Sequence, residues 1–312
     1  MPMPQGNAWN KIKAEIAPED KRVIRENRDL FWSYISDRNQ IWVRRNRGEK
    51  PPWTDDPILQ RNHFTNVFRR YDAGTQHLVD LISTNLKRAP KGNVRQSVIW
   101  WVIQYRLPNY PALFEKYGWI PRKFLAAQWL RRIERMHAQG YPWFTNAHIV
   151  LQSNFGQSRA DNYMMYLKGI DENLEQIVDG ILKARTMEEA YRSLLKTKGL
   201  GPFTCQEVLI DLTYFGVIPE EWRDEFAIAG PGAMQGVDLI YPQAKQGGQR
   251  GYLEAMRKLR DNQHKAFRRL KIPKPAHPLM LHDVEFCLCE FSKYVKIMHG
   301  TGRGRLYKPR AA

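Results

Sequence analysis

Residues 198–202, "KGLGP", combine two glycines with a lysine and a proline, which are residue types that can bring backbone N–H groups close to a phosphate. A nucleotide-binding phosphate loop needs the spacing G-x-x-x-x-G-K-[ST] after a strand. The stretch lacks that spacing and its lysine, and a helical pattern precedes it. The dinucleotide fingerprint G-x-G-x-x-G also fails, because Thr204 stands at the third glycine position. The motif therefore does not predict a kinase.

The same residues suit a helix-hairpin-helix. One helical pattern ends near Lys196, a second begins near Pro202, and the turn between them lets glycines take conformations closed to other residues. Such a turn directs backbone N–H groups and a helix N-terminus at one DNA phosphate without reading sequence. An ordinary turn between two helices is the alternative. The hairpin predicts four DNA contacts: Lys198, Gly199, Gly201 and Thr204.

Composition favours a polyanionic partner. The 312 residues include 49 Lys and Arg against 32 Asp and Glu, which gives a formal net charge of +17. Such a balance is typical of proteins that bind DNA, RNA or an acidic membrane face. The N-terminus has no apolar signal segment and no window approaches a membrane span, so we expect a cytoplasmic protein without a membrane partner. The spacing of Cys287 and Cys289, far from Cys205, predicts no metal site.

Helices must position these residues, because convincing alternating strands are almost absent. Asp56 and Pro57 predict a helix start, with a stop at Gly74, and Thr186 predicts another start. "FAIA" (226–229) is the one short strand candidate, and residues 220–238 are expected to form an irregular loop. The helical patterns cover residues 18–47, 56–74, 93–105, 110–117, 121–139, 159–184, 186–195, 251–270 and 278–294.

An all-α chain with this late hairpin resembles the helix-hairpin-helix DNA glycosylase superfamily, whose members work on a base flipped out of the duplex. Two departures stand out. Phe203 occupies the position where lyase members carry a lysine, and Asp224 and Glu225 precede a short apolar run where a catalytic Asp is usual. The resemblance therefore implies no lyase activity.

Four segments resemble one branch more specifically. They are "PWTDDPILQRNHFTNVFRRYDAGTQ" (52–76), "KGLGPFTCQEVLIDLTY" (198–214), "AGPGAMQGV" (229–237) and "LHDVEFCLCEFSKYVK" with "GTGRGRLY" (281–307). Together, over about residues 29–308, they resemble the α-glutamyl/putrescinyl thymine pyrophosphorylase family, which is related to the helical domain found with 5-hydroxymethyluracil DNA kinases.

The resemblance implies a bacteriophage enzyme that hypermodifies thymine in the cytoplasm of the infected bacterial cell. It would displace (pyro)phosphate from 5-(phospho- or pyrophosphooxymethyl)uracil in double-stranded DNA. The incoming amine would be an amino acid or putrescine, with no cofactor and with a 5-hydroxymethyluracil DNA kinase as a functional partner.

The implied fold is all-α and glycosylase-like, with two helical lobes and a cleft between them. The predicted organisation is a flexible N-terminus (1–20), an N-terminal helical part (21–144), a helix-hairpin-helix lobe (145–240, hairpin 196–203), C-terminal helices packing back on the first part (241–298) and a basic tail (299–312) that is mobile unless nucleic acid orders it.

Three tasks follow from the implied chemistry: holding a pyrimidine, neutralising a departing phosphate and deprotonating an amine. On a helix, Asn66, Arg69 and Asp72 would share one face, so that Asn66 reads the uracil edge, Arg69 clamps the phosphate and Asp72 orients the arginine. A buried structural network is the alternative. Further phosphate contacts are predicted at Arg61 and at the backbone of Gly230 and Gly232, although "GPGA" also suits a simple turn.

For the general base, the predicted residues are Asp224, Glu225 and Asp283. Asp211 competes, although an unpaired carboxylate among apolar residues would be costly. His282 and Asp283 should point about 100° apart on a helix and form no dyad.

The basic clusters 44–47, 131–135 and 303–310, with Arg303 and Arg305, are expected to follow DNA phosphates, although each alone also suits a solvated face. Two other functions stay open. A base-excision glycosylase would activate water and leave abasic sites, and a non-catalytic subunit would bind DNA and form no product.

Overall fold

The computed structural model describes residues 18–86, 94–119, 131–132, 134–135, 138–140 and 159–307. Two predictions lie largely or partly outside them: the helix at 121–139, with its basic cluster, and the flexible N-terminus. In the described ranges no strand forms and residues 226–229 are irregular, so the strand candidate is wrong. An isolated bridge joins Asn62 and Leu306. The predicted all-α class is confirmed.

Twelve α-helices occur in the described ranges. They are α1 Pro18–Asn46, α2 Pro57–Arg61, α3 Ala73–Leu86, α4 Val94–Arg106, α5 Pro111–Tyr117, α6 Arg159–Glu172, α7 Leu174–Leu182, α8 Met187–Leu194, α9 Pro202–Tyr214, α10 Pro231–Ile240, α11 Gly248–Leu270 and α12 Leu281–Met298. Short 3₁₀ helices cover Arg69–Tyr71, Glu220–Asp224 and Pro242–Gly247.

Helix α2 starts as predicted but ends early. The Asp56 side chain accepts hydrogen bonds from the N–H groups of Ile58 (2.7 Å) and Leu59 (3.0 Å), and Pro57 follows it. The helix ends at Arg61, because the Asn62 side chain donates to the Ile58 carbonyl (2.9 Å) and its own backbone is extended. A continuous helix to residue 74 was therefore a wrong prediction.

The sequence predicted the start of one later helix correctly but predicted the extent of others wrongly. Thr186 caps α8 by accepting the N–H of Glu189 at 3.1 Å, as predicted. The pattern at 159–184 forms two helices, α6 and α7. Residues 220–238 are not an irregular loop, because a 3₁₀ helix and most of α10 occupy them.

Two compact units divide the chain, and the first joins residues up to Arg69 with those from Ala227 onward. In this unit α1 packs on α10, α11 and α12, and α10 runs close along α12. A Cβ added at Gly236 would overlap the backbone of Leu288, so this close approach requires glycine. The aromatic core includes Trp32 against Phe267, with ring centroids 5.3 Å apart.

The second unit spans Arg70–Phe226. Its helices α4 and α9 pack together and bury an ion pair between Arg106 and Asp211. The unit boundaries at 69/70 and 226/227 differ from the predicted domain boundaries at 144 and 240, which stay predictions. In the described part of the chain, no helix is long and apolar enough to cross a membrane.

Candidate active site and nucleic-acid contacts

The most chemically distinctive group of the first unit is the partly buried carboxyl of Glu285 on α12. Its Oε1 atom accepts a hydrogen bond from the N–H of Gly230 at 3.2 Å. Gly230 is the N-cap of α10, so the carboxyl lies at the positive end of that helix dipole. The arrangement joins an acidic group to an anion-favouring helix end.

Burial raises the pKa of Glu285 from its ordinary value to about 7. The Gly230 N–H and the positive charge of Arg69 act in the opposite direction and favour the ionised form. Burial outweighs them because removing a carboxylate from water is costly. A carboxyl that ionises near neutral pH can accept or donate a proton under physiological conditions, which is what general acid–base catalysis requires.

Arg69 is buried, with 3% of its surface exposed, at the end of a segment (62–68) that has no regular helix or strand. Side chains from two helices hold this segment. Arg38 on α1 donates to the Thr65 carbonyl at 2.8 Å, and the Thr65 N–H donates to Glu290 on α12 at 3.1 Å. Because these contacts replace secondary structure for the buried backbone, they fix Arg69 on the first unit.

The predicted helical face of Asn66, Arg69 and Asp72 does not exist. Asn66 lies in the irregular segment, where its Oδ1 atom is 3.5 Å from Nη2 of Arg38. Asp72 belongs to the second unit, and its carbonyl accepts the N–H of Gln76 at 2.9 Å. The expected geometry is wrong because α2 ends at Arg61. The proposed roles of the three side chains stay predictions.

The predicted glycines of α10 have separate structural reasons. Gly230 directs its N–H at Glu285, whereas a Cβ at Gly232 would lie 2.5 Å from the Sγ atom of Cys289 on α12. Gly232 is thus needed for close helix packing. Its predicted phosphate contact remains untested.

The predicted general bases occupy different environments. Asp224 ends a 3₁₀ helix in the second unit and Glu225 is exposed beside it. Asp283, 4% exposed, accepts the N–H of Met280 at 3.0 Å and so caps its own helix. Asp283 Oδ1 also lies 3.1 Å from Nε2 of His282, but the two atoms do not make a hydrogen bond, so no dyad forms between them.

Asp211, the competing base, is fully buried against Arg106. Arg106 Nη2 donates to Oδ1 at 2.9 Å and Nε donates to Oδ2. This bidentate pair offsets the free-energy cost of burying a carboxylate among apolar residues, which the sequence predicted. Asp211 therefore has a structural role.

Glu285 was missed by sequence reasoning. It lies in "VEFCLCEF", where an acidic residue interrupts an apolar helical run just as Asp211 does. The same cost argument would have singled it out. Glu285 differs from Asp211 in its partners, Arg69 and Gly230, and both of these lie far from Glu285 in the sequence.

In the second unit, α8 and α9 flank the predicted hairpin. Gly199 has a φ of +94°, and a Cβ there would overlap the ring of Tyr166. Gly201 has an ordinary φ of −82°, with no atom within 4 Å of an added Cβ, so the prediction of a restricted conformation there is wrong. Lys198 and Gly201 are exposed, whereas Thr204 is buried, with 6% of its surface exposed; the DNA contacts of all four residues stay predictions.

The predicted basic contacts lie at the surface of the first unit. Arg61, Arg303 and Arg305 are all exposed. The tail is not free up to residue 307, because the N–H of Tyr307 donates to the Arg61 carbonyl at 2.9 Å. Residues 308–312 lie outside the described ranges. Within those ranges no group of three His, Cys, Asp or Glu residues is placed to hold a metal ion.

Comparison with known proteins relates the chain to DNA-modifying phage enzymes. The model of the family "5-hmdU DNA kinase, helical domain" matches residues 25–304. The chain is 26% identical over 300 residues to the 5-hmdU DNA kinase of Bacillus phage SP10, and the match covers 88% of this chain and 46% of that protein. The chain thus spans about half the length of this relative. No solved structure matches it.

The match confirms the resemblance to the helical domain found with these kinases, while the narrower pyrophosphorylase resemblance stays a prediction. Because the family model covers most of the sequence, the chain belongs to the family of 5-hmdU DNA kinase helical domains.

Proposed function

We propose that the protein is a transferase of phage thymine hypermodification, which replaces the (pyro)phosphate of 5-(phospho- or pyrophosphooxymethyl)uracil in DNA with an amine. The observation that carries the proposal is the Glu285 carboxyl, whose pKa burial raises to about 7, beside Arg69 and the N-terminus of α10. The kinship to 5-hmdU DNA kinases supports 5-hydroxymethyluracil in DNA as the starting base.

The reaction exchanges one bond at the methylene carbon of the base. The amine nitrogen forms a C–N bond, the C–O bond breaks, and the phosphate leaves with its electron pair. Arg69 would neutralise the departing phosphate, because a guanidinium offers a planar fork of donors that matches phosphate oxygens. The N-terminus of α10 adds a favourable partial charge.

The amine must lose a proton as it becomes a nucleophile, and Glu285 would accept it. With a pKa of about 7, a large fraction of this carboxyl is ionised at neutral pH, and it is a stronger base than an ordinary glutamate.

DNA would be held by the hairpin of the second unit. The exposed Gly201 leaves open space beside the N-terminus of α9, where a phosphate oxygen can approach the backbone N–H groups. Phe203 follows with 47% of its surface exposed and stands where lyases carry a lysine. The hairpin thus binds and does not react.

A product assay tests the function. The protein is incubated with 5-hydroxymethyluracil DNA, phosphorylated or not, together with amino acids or putrescine, and the digested nucleosides are analysed by mass spectrometry. We expect a nucleoside heavier by the amine only from phosphorylated DNA. Glu285→Gln should lose most of this product and the exposed Glu175→Gln should not.

Three other results would overturn the proposal. Abasic sites would indicate a glycosylase. DNA binding without any product would indicate a non-catalytic subunit. Transfer of phosphate from ATP to 5-hydroxymethyluracil DNA would indicate a kinase.

A further inference from the structure

Two distant segments of the first unit pair at a surface rich in arginine. The N–H of His63 donates to the Arg305 carbonyl at 2.7 Å, and Asn62 bridges to Leu306 in antiparallel orientation. This pairing holds the tail segment 302–307 against the end of α2. Arginines far apart in sequence are thereby presented together.

The alternation of Gly and Arg in "GRGR" has a geometric cause. A Cβ at Gly302 would lie 2.7 Å from Cβ of Lys296, and one at Gly304 would overlap the side chain of Asn62. Both glycines therefore face the protein. The intervening Arg303 and Arg305 are exposed. The segment is built to present its arginines outward.

Aromatic residues brace the neighbouring turn. The rings of Trp53 and Tyr307 pack edge to face with centroids 6.2 Å apart. The guanidinium of Arg45 lies over the Trp53 ring at 5.4 Å, and Arg44 donates to the Trp53 carbonyl at 2.9 Å. Because these rings already pack against protein groups, they anchor arginines and are poor platforms for an unstacked base.

Three arginines of this surface have no ion-pair partner among the described residues. Among the described residues, no carboxylate lies in ion-pair range of Arg61, Arg303 or Arg305. Some exposed arginines elsewhere are paired, such as Arg185 with Glu189 at 3.0 Å. An uncompensated group of guanidinium charges favours a polyanion, and its forks suit phosphate oxygens.

We propose that this Arg–Trp surface, formed by Arg45, Trp53, Arg61, Arg303, Arg305 and Tyr307, binds the phosphate backbone of duplex DNA outside the nucleotide that reacts. The inference rests on the proposed function for the identity of the polyanion. It adds a contact surface on the first unit that requires neither the hairpin nor a modified base.

Binding of a labelled, unmodified DNA duplex between about 0.05 and 0.2 M salt tests this surface. Arg303→Ala/Arg305→Ala should reduce the slope of log affinity against log salt by about 1.8, which is about 0.9 for each lost phosphate contact. Affinity at about 0.1 M salt should fall by a factor on the order of 10 to 100. Lys265→Ala/Arg268→Ala removes two exposed charges from α11 as the matched control and should leave the slope unchanged.

An unchanged slope in the Arg303/Arg305 variant would overturn the surface, as would tighter competition by duplex RNA or by single strands than by duplex DNA. Thermal unfolding of each variant checks that the exposed substitutions leave the fold intact. Because the duplex is unmodified, this result is independent of amine transfer. Suppose that the wild-type protein transfers no amine but the Arg303→Ala/Arg305→Ala variant shows the smaller salt slope. That result would contradict the proposed function and support DNA binding by the Arg–Trp surface.

Discussion

At the scale of single residues, two carboxylates inside apolar helices illustrate how context decides role. Asp211 forms a buried bidentate pair with Arg106, whereas Glu285 accepts one backbone N–H and feels the charge of Arg69. Burying either carboxylate is costly, but the sequence analysis singled out only Asp211. It does not reveal which has a full partner, because the partners lie more than fifty residues away.

The pH dependence of the amine-transfer rate should report the ionisation of Glu285. Its ionised form accepts the proton, so the rate of the wild-type protein should rise with pH through about 7 and then level off. Glu285→Gln should lower the rate by about 10²–10⁴ and remove this rise. Single-turnover rates at saturating DNA and amine measure it, with Glu175→Gln as the exposed control. A rise that persists in Glu285→Gln would assign the base elsewhere.

The same group makes a separate prediction for stability. Burial raises the pKa of Glu285 from 4.5 to about 7, so the folded protein binds more protons than the unfolded chain between these values. The free energy of unfolding should therefore fall as pH rises from about 5 to 8, by on the order of 3 kcal/mol from this group.

Glu285→Gln cannot ionise, so its stability should lack this part of the fall and exceed that of the wild type at pH near 8. Urea unfolding at several pH values measures both curves. Parallel curves for the two proteins would show that the carboxyl titrates at its ordinary pKa.

At the scale of elements, local chemistry predicted helix starts better than helix ends. Asp56 and Thr186 cap their helices through contacts within three residues, which sequence displays directly. At the end of α2, Asn62 combines a local hydrogen bond to the Ile58 carbonyl with pairing to Leu306, more than two hundred residues away. Likewise α10 forms in a stretch predicted as a loop, because its glycines allow it to pack closely on α12.

The two hairpin glycines should respond oppositely to alanine. Gly199→Ala places a side chain at a φ of +94° and against Tyr166, so we expect a loss of at least about 2 kcal/mol of stability. Gly201→Ala has an ordinary φ and open space, so stability should change by less than about 0.5 kcal/mol.

DNA affinity should nevertheless fall by about 10- to 100-fold in Gly201→Ala, because its methyl group would hold a phosphate away from the backbone N–H groups. Urea unfolding and duplex binding are measured on both variants. If a stable Gly201→Ala protein binds DNA with the affinity of the wild type, the hairpin is an ordinary turn between two helices.

At the scale of the whole molecule, the +17 charge predicted a polyanionic partner, and the structure shows how part of that charge is arranged. The first unit carries Arg69 with Glu285 and, separately, the Arg–Trp surface, while the second unit carries the hairpin. The all-α class and the family resemblance followed from the sequence. Arg69 and Glu285 belong to one unit because the first unit is assembled from two segments that are distant in the sequence. The spacing of the two residues in the sequence does not reveal this proximity.

The most direct test of the central claim is the stoichiometry of one turnover. DNA carrying phosphorylated 5-hydroxymethyluracil is incubated with a ¹⁵N-labelled amine, and released phosphate is compared with labelled nucleoside. We predict one labelled nucleoside for each (pyro)phosphate released by the wild-type protein, and loss of both together in Glu285→Gln. Phosphate release that regenerates 5-hydroxymethyluracil, with no ¹⁵N in the DNA, would contradict the account.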